Sequence, residues 1–392
     1  MATKQRSSPE AVQKKNMSSG LQSRPALERF RSSTTANTST HLGRTGARPN
    51  PKDIPSERVT FAFAANFAPC LVRDLGTGSD ENAQLRINAL RAMCDQLNSP
   101  VPGGELIRNG CLDVLIQHAV SGEPAVQRLA TTALELVARS SNGKLAYVQA
   151  GEEKLATLLP LLNDTDTLTR LNFYKTMLTM CGSAQCVNVL VAIGVVKTLV
   201  QKSKQEKGEI QKLCLEVLYH TLKSYGETAL VEAQDQGATK TSINLLLNDS
   251  ERVRELALKN VTLLCFSTQA KLEVIEMNAI AKICPLLSDI SYAVRAAAAG
   301  ALMGVTTEKR AKIQVIEAGG LQLLTGLLDD PSRSVQLNAL KALSQVVVHP
   351  EARKYLNTER TINRVKELIN VENNSLLSRA ARTFLNLVLW KP

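Results

Sequence analysis

The chain has 392 residues, with 8 Cys, 4 His and 1 Trp, and its 47 Lys and Arg outnumber its 36 Asp and Glu to give a net charge of +11. A hydrophobic content of 44% permits a sizeable core, whereas 4% aromatic residues argue against base stacking as the main function. The apolar runs are short and broken by charge, so we expect no membrane-spanning helix. The polar, basic residues after Met1 predict no signal peptide.

The first 55 residues differ in composition from the rest of the chain. They are rich in Ser, Thr and Pro and have no sustained apolar period, so we predict a disordered basic tail over residues 1–55. Residues 1–57 contain ten basic and four acidic side chains, a net +6, and the other 335 residues carry +5. The folded part is only mildly basic, so we expect no nucleic-acid partner. The tail is either a phosphorylatable or polyanion-binding arm or a solvated extension.

From residue 85 onward, two sequence markers repeat with one period. The first is an aliphatic residue, once threonine, usually followed by Arg or Gln; it recurs every 41 to 43 residues, at Leu85, Val126, Thr169, Ile210, Val253, Val294, Val335 and Leu377. The second is a glycine, once asparagine, before an apolar helix; it keeps the same intervals, at Gly110, Gly151, Gly194, Gly237, Asn278 and Gly319. Two independent markers with one period indicate a repeat protein.

The unit that begins at Gly319 illustrates the structure expected of each repeat. Leu321, Leu324 and Leu328 recur at helical spacing and predict a buried stripe. Pro331 then ends the helix, and the Asp or Ser residues beside it are suited to cap the next one. The helix after Pro331 carries two Ala residues, which let neighbouring helices approach closely. The glycine supplies the sharp turn that a residue with a Cβ atom resists.

No strand-like alternation occurs, so we predict an all-α fold. A period of 41–43 residues with two long helices and a short leading one is typical of armadillo and HEAT repeats. We therefore predict a right-handed armadillo/HEAT-like α-solenoid of about eight repeats over residues 56–392, because such units bury their apolar faces by stacking. We expect capping units at the ends, with Phe61, Phe67, Leu71 and Leu75 in the first and Phe384, Leu385, Val388 and Trp390 in the last.

The residues that usually carry chemistry form no recognisable site in the sequence. Cys-x-x-Cys pairs, zinc-type Cys and His spacings, phosphate-binding glycine loops and nucleophile elbows are all missing. Several cysteines lie on apolar helix stripes, so we interpret the cysteines as small buried hydrophobes of a reducing compartment. Cys181 and Cys186, which flank a short loop, are the candidate exceptions. We predict a protein that is not an enzyme and has no cofactor, metal or small-molecule substrate.

The third helix of each repeat is the default binding face of such a solenoid. Peptide-binding members such as importin alpha carry a ladder of Trp and Asn on this helix, and neither column exists here, so recognition of a basic nuclear-localisation peptide is not expected. The Trp column instead contains four bases, Arg91, Lys175, Lys259 and Lys341. They form either a spaced basic row for an acidic or mixed partner segment or ordinary solvated helix positions.

Several stretches resemble one family beyond the generic repeat. The chain is similar to the radial spoke head 14 homologues, armadillo proteins of motile cilia, from about residue 50 to its end; the first 50 or so residues depart from that family. The matching stretches include Asn109-Gly110-Cys111-Leu112, Ala298-Ala299-Gly300-Ala301-Leu302-Met303, His349-Pro350-Glu351-Ala352-Arg353-Lys354 and the ending Trp390-Lys391-Pro392.

The resemblance implies a structural scaffold subunit of the radial spoke, with other radial spoke proteins as partners. It also implies a location in the cytoplasm, on the cytoskeleton, in the axoneme of the cilium or flagellum. The alternative is a soluble armadillo adaptor that carries cargo or signalling proteins.

Overall fold

The computed structural model describes residues 67–76, 83–370 and 375–390, which belong to one compact unit. These ranges contain α-helices and short 3-10 helices and no strand, so the predicted all-α class is confirmed. The predicted tail over residues 1–55, its boundary and Phe61 lie outside the described residues.

In chain order, the α-helices are α1 Phe67–Gly76, α2 Ala83–Leu97, α3 Pro100–Arg108, α4 Cys111–Ala119, α5 Pro124–Arg139, α6 Ser141–Ala156, α7 Thr167–Met180, α8 Ala184–Ala192, α9 Val195–Gln205, α10 Gly208–Tyr225, α11 Glu227–Asp235, α12 Ala238–Asn244, α13 Glu251–Leu264, α14 Thr268–Glu276, α15 Ala279–Ile283, α16 Tyr292–Val305, α17 Lys309–Glu317, α18 Gly320–Gly326, α19 Arg333–Val346, α20 Pro350–Leu356, α21 Glu359–Ile369 and α22 Ser375–Val388. Four 3-10 helices lie at Leu159–Asn163, Leu245–Leu247, Cys284–Ser288 and Leu327–Asp329. The first stands in place of an α-helix before α7, and the other three continue α12, α15 and α18.

Eight equivalent helices, which we call the long helices, are α2, α5, α7, α10, α13, α16, α19 and α22. Their first residues are separated by 41, 43, 41, 43, 41, 41 and 42 residues, the intervals of the first sequence marker. Each long helix packs against the next one along the chain, so the eight form a continuous row. Two shorter helical segments precede each long helix from α5 onward and complete a three-helix repeat. The predicted stack of about eight units is confirmed.

The residues of the second sequence marker share an unusual backbone conformation. All six of its residues have positive φ, from 69° to 82° at the five glycines and 48° at Asn278. Most of them come directly before the second helix of a repeat; Gly151 instead lies inside α6 and divides it, with φ 82° and ψ 167°. A side chain strains this backbone, which explains why glycine recurs there.

The buried stripe predicted after Gly319 is present. Leu321, Leu324 and Leu328 are buried, although the stripe passes from α18 into a 3-10 helix. The turn that follows differs from the expectation of a side-chain cap. Ser332 is the residue before α19 and its side chain accepts no cap hydrogen bond; instead the Asp330 carboxylate accepts from the Ser332 backbone N–H at 2.8 Å.

The predicted end caps agree in part with the structure. Leu71 and Leu75 are buried at the first end, and Phe384, Leu385 and Val388 are buried at the last. Trp390 is more than half exposed, with the Arg353 guanidinium 5.2 Å from the centre of its ring.

Polar residues interrupt the apolar core near its middle. Besides a small cluster of Leu215, Val253 and Leu256, the buried apolar side chains form two large clusters, one that runs from Ala68 to Ala238, with Leu264 and Ala270, and a second from Ile243 to Val388. Between them the chain buries a set of polar side chains that we call the polar seam: Gln234, Thr239, Thr241, Ser242 and Asn260. The amide of Asn260 donates to the Leu215 carbonyl at 3.3 Å, whereas the Thr239 hydroxyl has no hydrogen-bond partner among the described residues.

An arginine–carboxylate ion pair crosses each of the seven junctions between successive long-helix units. Arg295 shows the commonest form: its Nε lies 2.7 Å from Asp330 Oδ2, and its Nη1 donates to the Asp289 and Ile290 carbonyls of the loop before α16. The seven pairs are Arg86 with Glu123, Arg128 with Asp166, Arg170 with Glu206, Arg252 with Glu216, Arg254 with Asp289, Arg295 with Asp330 and Arg364 with Asp329. Arg86, Arg170, Arg254 and Arg295 come from the first sequence marker.

Candidate protein-binding face

The four bases of the predicted row occupy equivalent places on alternate members of the row of long helices. Arg91 lies on α2, Lys175 on α7, Lys259 on α13 and Lys341 on α19, each at the ninth residue of its helix. Arg91, Lys175 and Lys341 are exposed, and Lys259 is half-buried. We call the surface that these positions share the long-helix face; the role of the row in binding stays a prediction.

Lys259 is held by neighbours on the same face. Its Nζ lies 2.6 Å from Glu255 Oε1 and 5.6 Å from the centre of the Tyr219 ring. Arg252 joins this carboxylate to a second one, at 2.7 Å from Glu255 and 2.6 Å from Glu216. Burial acts to raise the pKa of Glu255, but hydrogen bonds from Lys259 and Arg252 hold that pKa below its usual value. The charge of Lys259 is therefore neutralised by side chains of its own face.

Side-chain hydrogen bonds also cover the face over α5 and α7. Glu135 accepts from Arg139 Nε at 2.9 Å, and the Asn172 amide donates to the Thr132 hydroxyl at 2.9 Å. Arg128 binds the Asp166 carboxylate through two bonds of 2.8 Å. Over these two helices the face carries two arginine–carboxylate pairs and an amide–hydroxyl hydrogen bond.

The other end of the face is open and basic. A groove of about 380 Å³ lies between α16, α19 and α22. Its lining consists of Met303, Lys341, Ser344, Gln345, Leu376, Arg379, Ala380 and Thr383. Of the predicted row, only Lys341 lines this groove. Arg379 was not predicted from the sequence, because it lies one helical turn before the positions in its repeat that correspond to the Trp and Asn ladder.

On α16, glycine occupies both ladder positions: Gly300 in the Trp column and Gly304 in the Asn column. A Cβ atom at Gly304 would lie 3.2 Å from the Cβ of Cys265, so this glycine lets α13 and α16 approach closely. At Gly300 the nearest side-chain atoms belong to Thr262 and Asn338, on the two flanking long helices. Close packing explains Gly304, whereas a Cβ atom at Gly300 would make only ordinary van der Waals contacts, at 3.6 Å and 3.7 Å.

The described cysteines are free thiols, and six of the eight are buried, as the sequence predicts. Burial raises the pKa of Cys181 to about 12, and it also raises the pKa of Cys186, whose thiol donates to the Lys144 carbonyl. Neither of the two candidate exceptions has the lowered pKa of a reactive thiol. Within the described ranges, no group of three or more His, Cys, Asp and Glu side chains is placed to hold a metal ion.

The described helices were also compared with the length and composition of a membrane span. No single one is long and apolar enough to cross a bilayer. The pair α8 and α9 reaches that length and composition only when taken together, and the two helices are bent by 81°.

Comparison with known proteins agrees with this geometry. A family model of the armadillo/beta-catenin-like repeat matches residues 309–347. The chain is similar to the crystal structure of an engineered protein, with a TM-score of 0.74 and 22% identity over 86% of this chain and 82% of that one. It is also similar to computationally designed armadillo repeat proteins for modular peptide recognition, with a TM-score of 0.54 and 21% identity over 60% of this chain and 99% of that one.

The fold is an armadillo-repeat solenoid. A search of curated proteins found no match. An armadillo solenoid is a scaffold that supports protein binding, and its row of third helices is the usual binding surface. The long-helix face is therefore the candidate protein-binding face of this armadillo chain.

Proposed function

We propose that this protein is a non-enzymatic structural subunit of the radial spoke in motile cilia and flagella. It belongs to the axonemal cytoskeleton, and its partners are neighbouring radial spoke proteins that bind the solenoid surface. The observation that carries the proposal is the ordered series of motifs, ending in Trp390-Lys391-Pro392, that resembles the radial spoke head 14 homologues. The solenoid supports it, since a scaffold requires an extended and continuous surface.

Fractionation of ciliated cells tests this proposal. A spoke subunit stays with demembranated axonemes during a salt wash, because it is held by many contacts in a large assembly. We expect the protein in the washed axonemal pellet, together with known spoke components as the positive control. Recovery wholly in the soluble fraction would falsify the radial spoke proposal.

The alternative is a soluble armadillo adaptor for cargo or signalling proteins. Similarity to designed armadillo proteins for modular peptide recognition favours it, because a long-helix face of this kind suits an extended segment of another protein. The same fractionation separates the two functions, since an adaptor leaves with the soluble proteins. Pull-down from the fraction that retains the protein, followed by protein identification, then names the partner.

A further inference from the structure

At its C-terminal end the long-helix face brings two unpaired cations together in one groove. The last three long helices, α16, α19 and α22, contain no acidic residue, whereas four of the five long helices before them contain at least one. On those earlier helices Glu135, Glu216 and Glu255 each pair with an arginine. Lys341 and Arg379, on α19 and α22, are exposed and have no ion-pair partner among the described residues.

The same two cations line the groove between α16, α19 and α22, and the rest of the lining gives that groove two further kinds of contact. Met303, Leu376 and Ala380 are apolar, and 55% of the Leu376 surface is exposed. Ser344, Gln345 and Thr383 provide hydroxyl and amide groups. The groove therefore combines unpaired positive charge with accessible apolar surface and hydrogen-bonding groups.

We propose that this C-terminal groove binds an acidic segment of a partner protein in which carboxylates alternate with aliphatic side chains. Lys341 and Arg379 bind the carboxylates, and the surface of Met303, Leu376 and Ala380 receives the aliphatic side chains. This inference rests on the proposed function in one respect, that the long-helix face is where partners bind. It narrows the binding site on the long-helix face from all eight repeats to the last three.

The lining favours a protein segment over a nucleic acid. Both ligands are anionic, but the groove lining contains no aromatic side chain on which a base could stack. Part of the lining is apolar, which a phosphate backbone does not use and an aliphatic side chain does. The folded part of the chain is also only mildly basic, whereas nucleic-acid binding requires many phosphate contacts.

Fluorescence polarisation on the full-length protein tests the proposal with a labelled peptide of repeated Glu-Glu-Leu triplets as the probe. The test variant combines Lys341→Glu with Arg379→Glu. The matched control combines Arg91→Glu with Lys175→Glu, two exposed bases of the same face in its N-terminal half. We expect the first variant to weaken peptide binding by about tenfold or more and the control by less than about threefold, because only the first pair lines the groove. Added salt weakens the wild-type complex.

Each outcome of this assay decides the proposal. No peptide binding by the wild-type protein, or an equal loss in the two variants, overturns the C-terminal site. Tighter binding of an oligo-dT strand than of the peptide assigns the groove to a general polyanion surface and overturns the protein ligand. Circular dichroism verifies that both variants keep wild-type helicity, as expected for exposed positions. The assay needs no cilia, so its failure is independent of the fractionation result that tests the radial spoke.

Discussion

Asn278 is the one residue other than glycine with positive φ among the described residues. It occupies the turn before α15 that glycine occupies in the neighbouring repeats, at φ 48° and ψ 37°. Asparagine tolerates the left-handed conformation better than other residues with a Cβ atom, because its short amide bonds to nearby backbone. The sequence marker therefore accepts asparagine for a physical reason.

We expect Asn278→Ala to lower the free energy of unfolding by about 1 kcal/mol, since alanine keeps the strain and loses the amide. Asn278→Gly is the matched control, and we expect it to be neutral or slightly stabilising because glycine adopts this conformation without strain. Urea denaturation followed by circular dichroism measures both. Equal destabilisation by the two substitutions would show that the backbone conformation does not determine the preference.

At the scale of single helices, Asp166 couples a helix end to the neighbouring repeat. Its carboxylate accepts from the Thr169 backbone N–H at 2.9 Å and so caps α7, while both oxygens bind Arg128 of α5. The hydrogen bonds from Arg128, with those from Thr169, hold the pKa of Asp166 well below its usual range. A lowered pKa means that the folded state favours the ionised carboxylate.

The stability that this ionisation contributes is therefore present above the ordinary Asp pKa of about 3.9 and is lost as the pH falls through the folded-state value. At neutral pH we expect Asp166→Asn to cost about 1 kcal/mol, because the amide still caps the helix but no longer pairs with Arg128. The difference from wild type should shrink as the pH falls below about 4.

Thermal melts between neutral pH and pH 2 measure this difference. Asp235→Asn is the control, since Asp235 is exposed at the end of α11 and makes no cap. A constant difference between wild type and Asp166→Asn over the whole range would contradict the assignment.

At the scale of the whole molecule, the polar seam lies near the middle of the solenoid, between its two large apolar clusters. Burial of an unpaired hydroxyl costs about 1 to 3 kcal/mol, so the Thr239 hydroxyl lowers the stability of the repeat that contains α12. In a solenoid each unit contacts only its neighbours, and a weak junction opens without unfolding the rest. The seam is therefore the expected site of first opening.

Hydrogen exchange measured by mass spectrometry tests this expectation. Amides of α11 and α12 should exchange earlier than those of the flanking long helices. Thr239→Val should slow that exchange and stabilise the fold by about 1 kcal/mol, because it removes the unpaired hydroxyl at nearly constant shape. The matched control is Thr306→Val, where the equally buried hydroxyl donates to the Leu302 carbonyl at 2.6 Å and its loss should not stabilise.

The repeat architecture could be predicted from the sequence because each repeat needs the same types of residue at the same positions. A positive φ at Gly110 or Gly319 depends on one residue, and a buried stripe such as that of Leu321 depends on a few neighbours. The arginine pairs were not readable, since Arg295 and Asp330 come from different repeats. For the row of four bases, the sequence predicted the positions but not which charges are free. The charge of Lys259 is neutralised through Glu255 and Tyr219, and Tyr219 lies on another helix.

The seven arginine–carboxylate pairs have a mechanical consequence. Five of them join a long helix to the loop before the next one, and these equivalent loops follow one another along a single edge of the stack. A rod tied along one edge is stiff against forces that open that edge and yields more readily to rotation about it. Charged ties of this kind re-form after they break, because both partners stay tethered to folded helices. We therefore expect the solenoid to bend more readily in one direction than in the others.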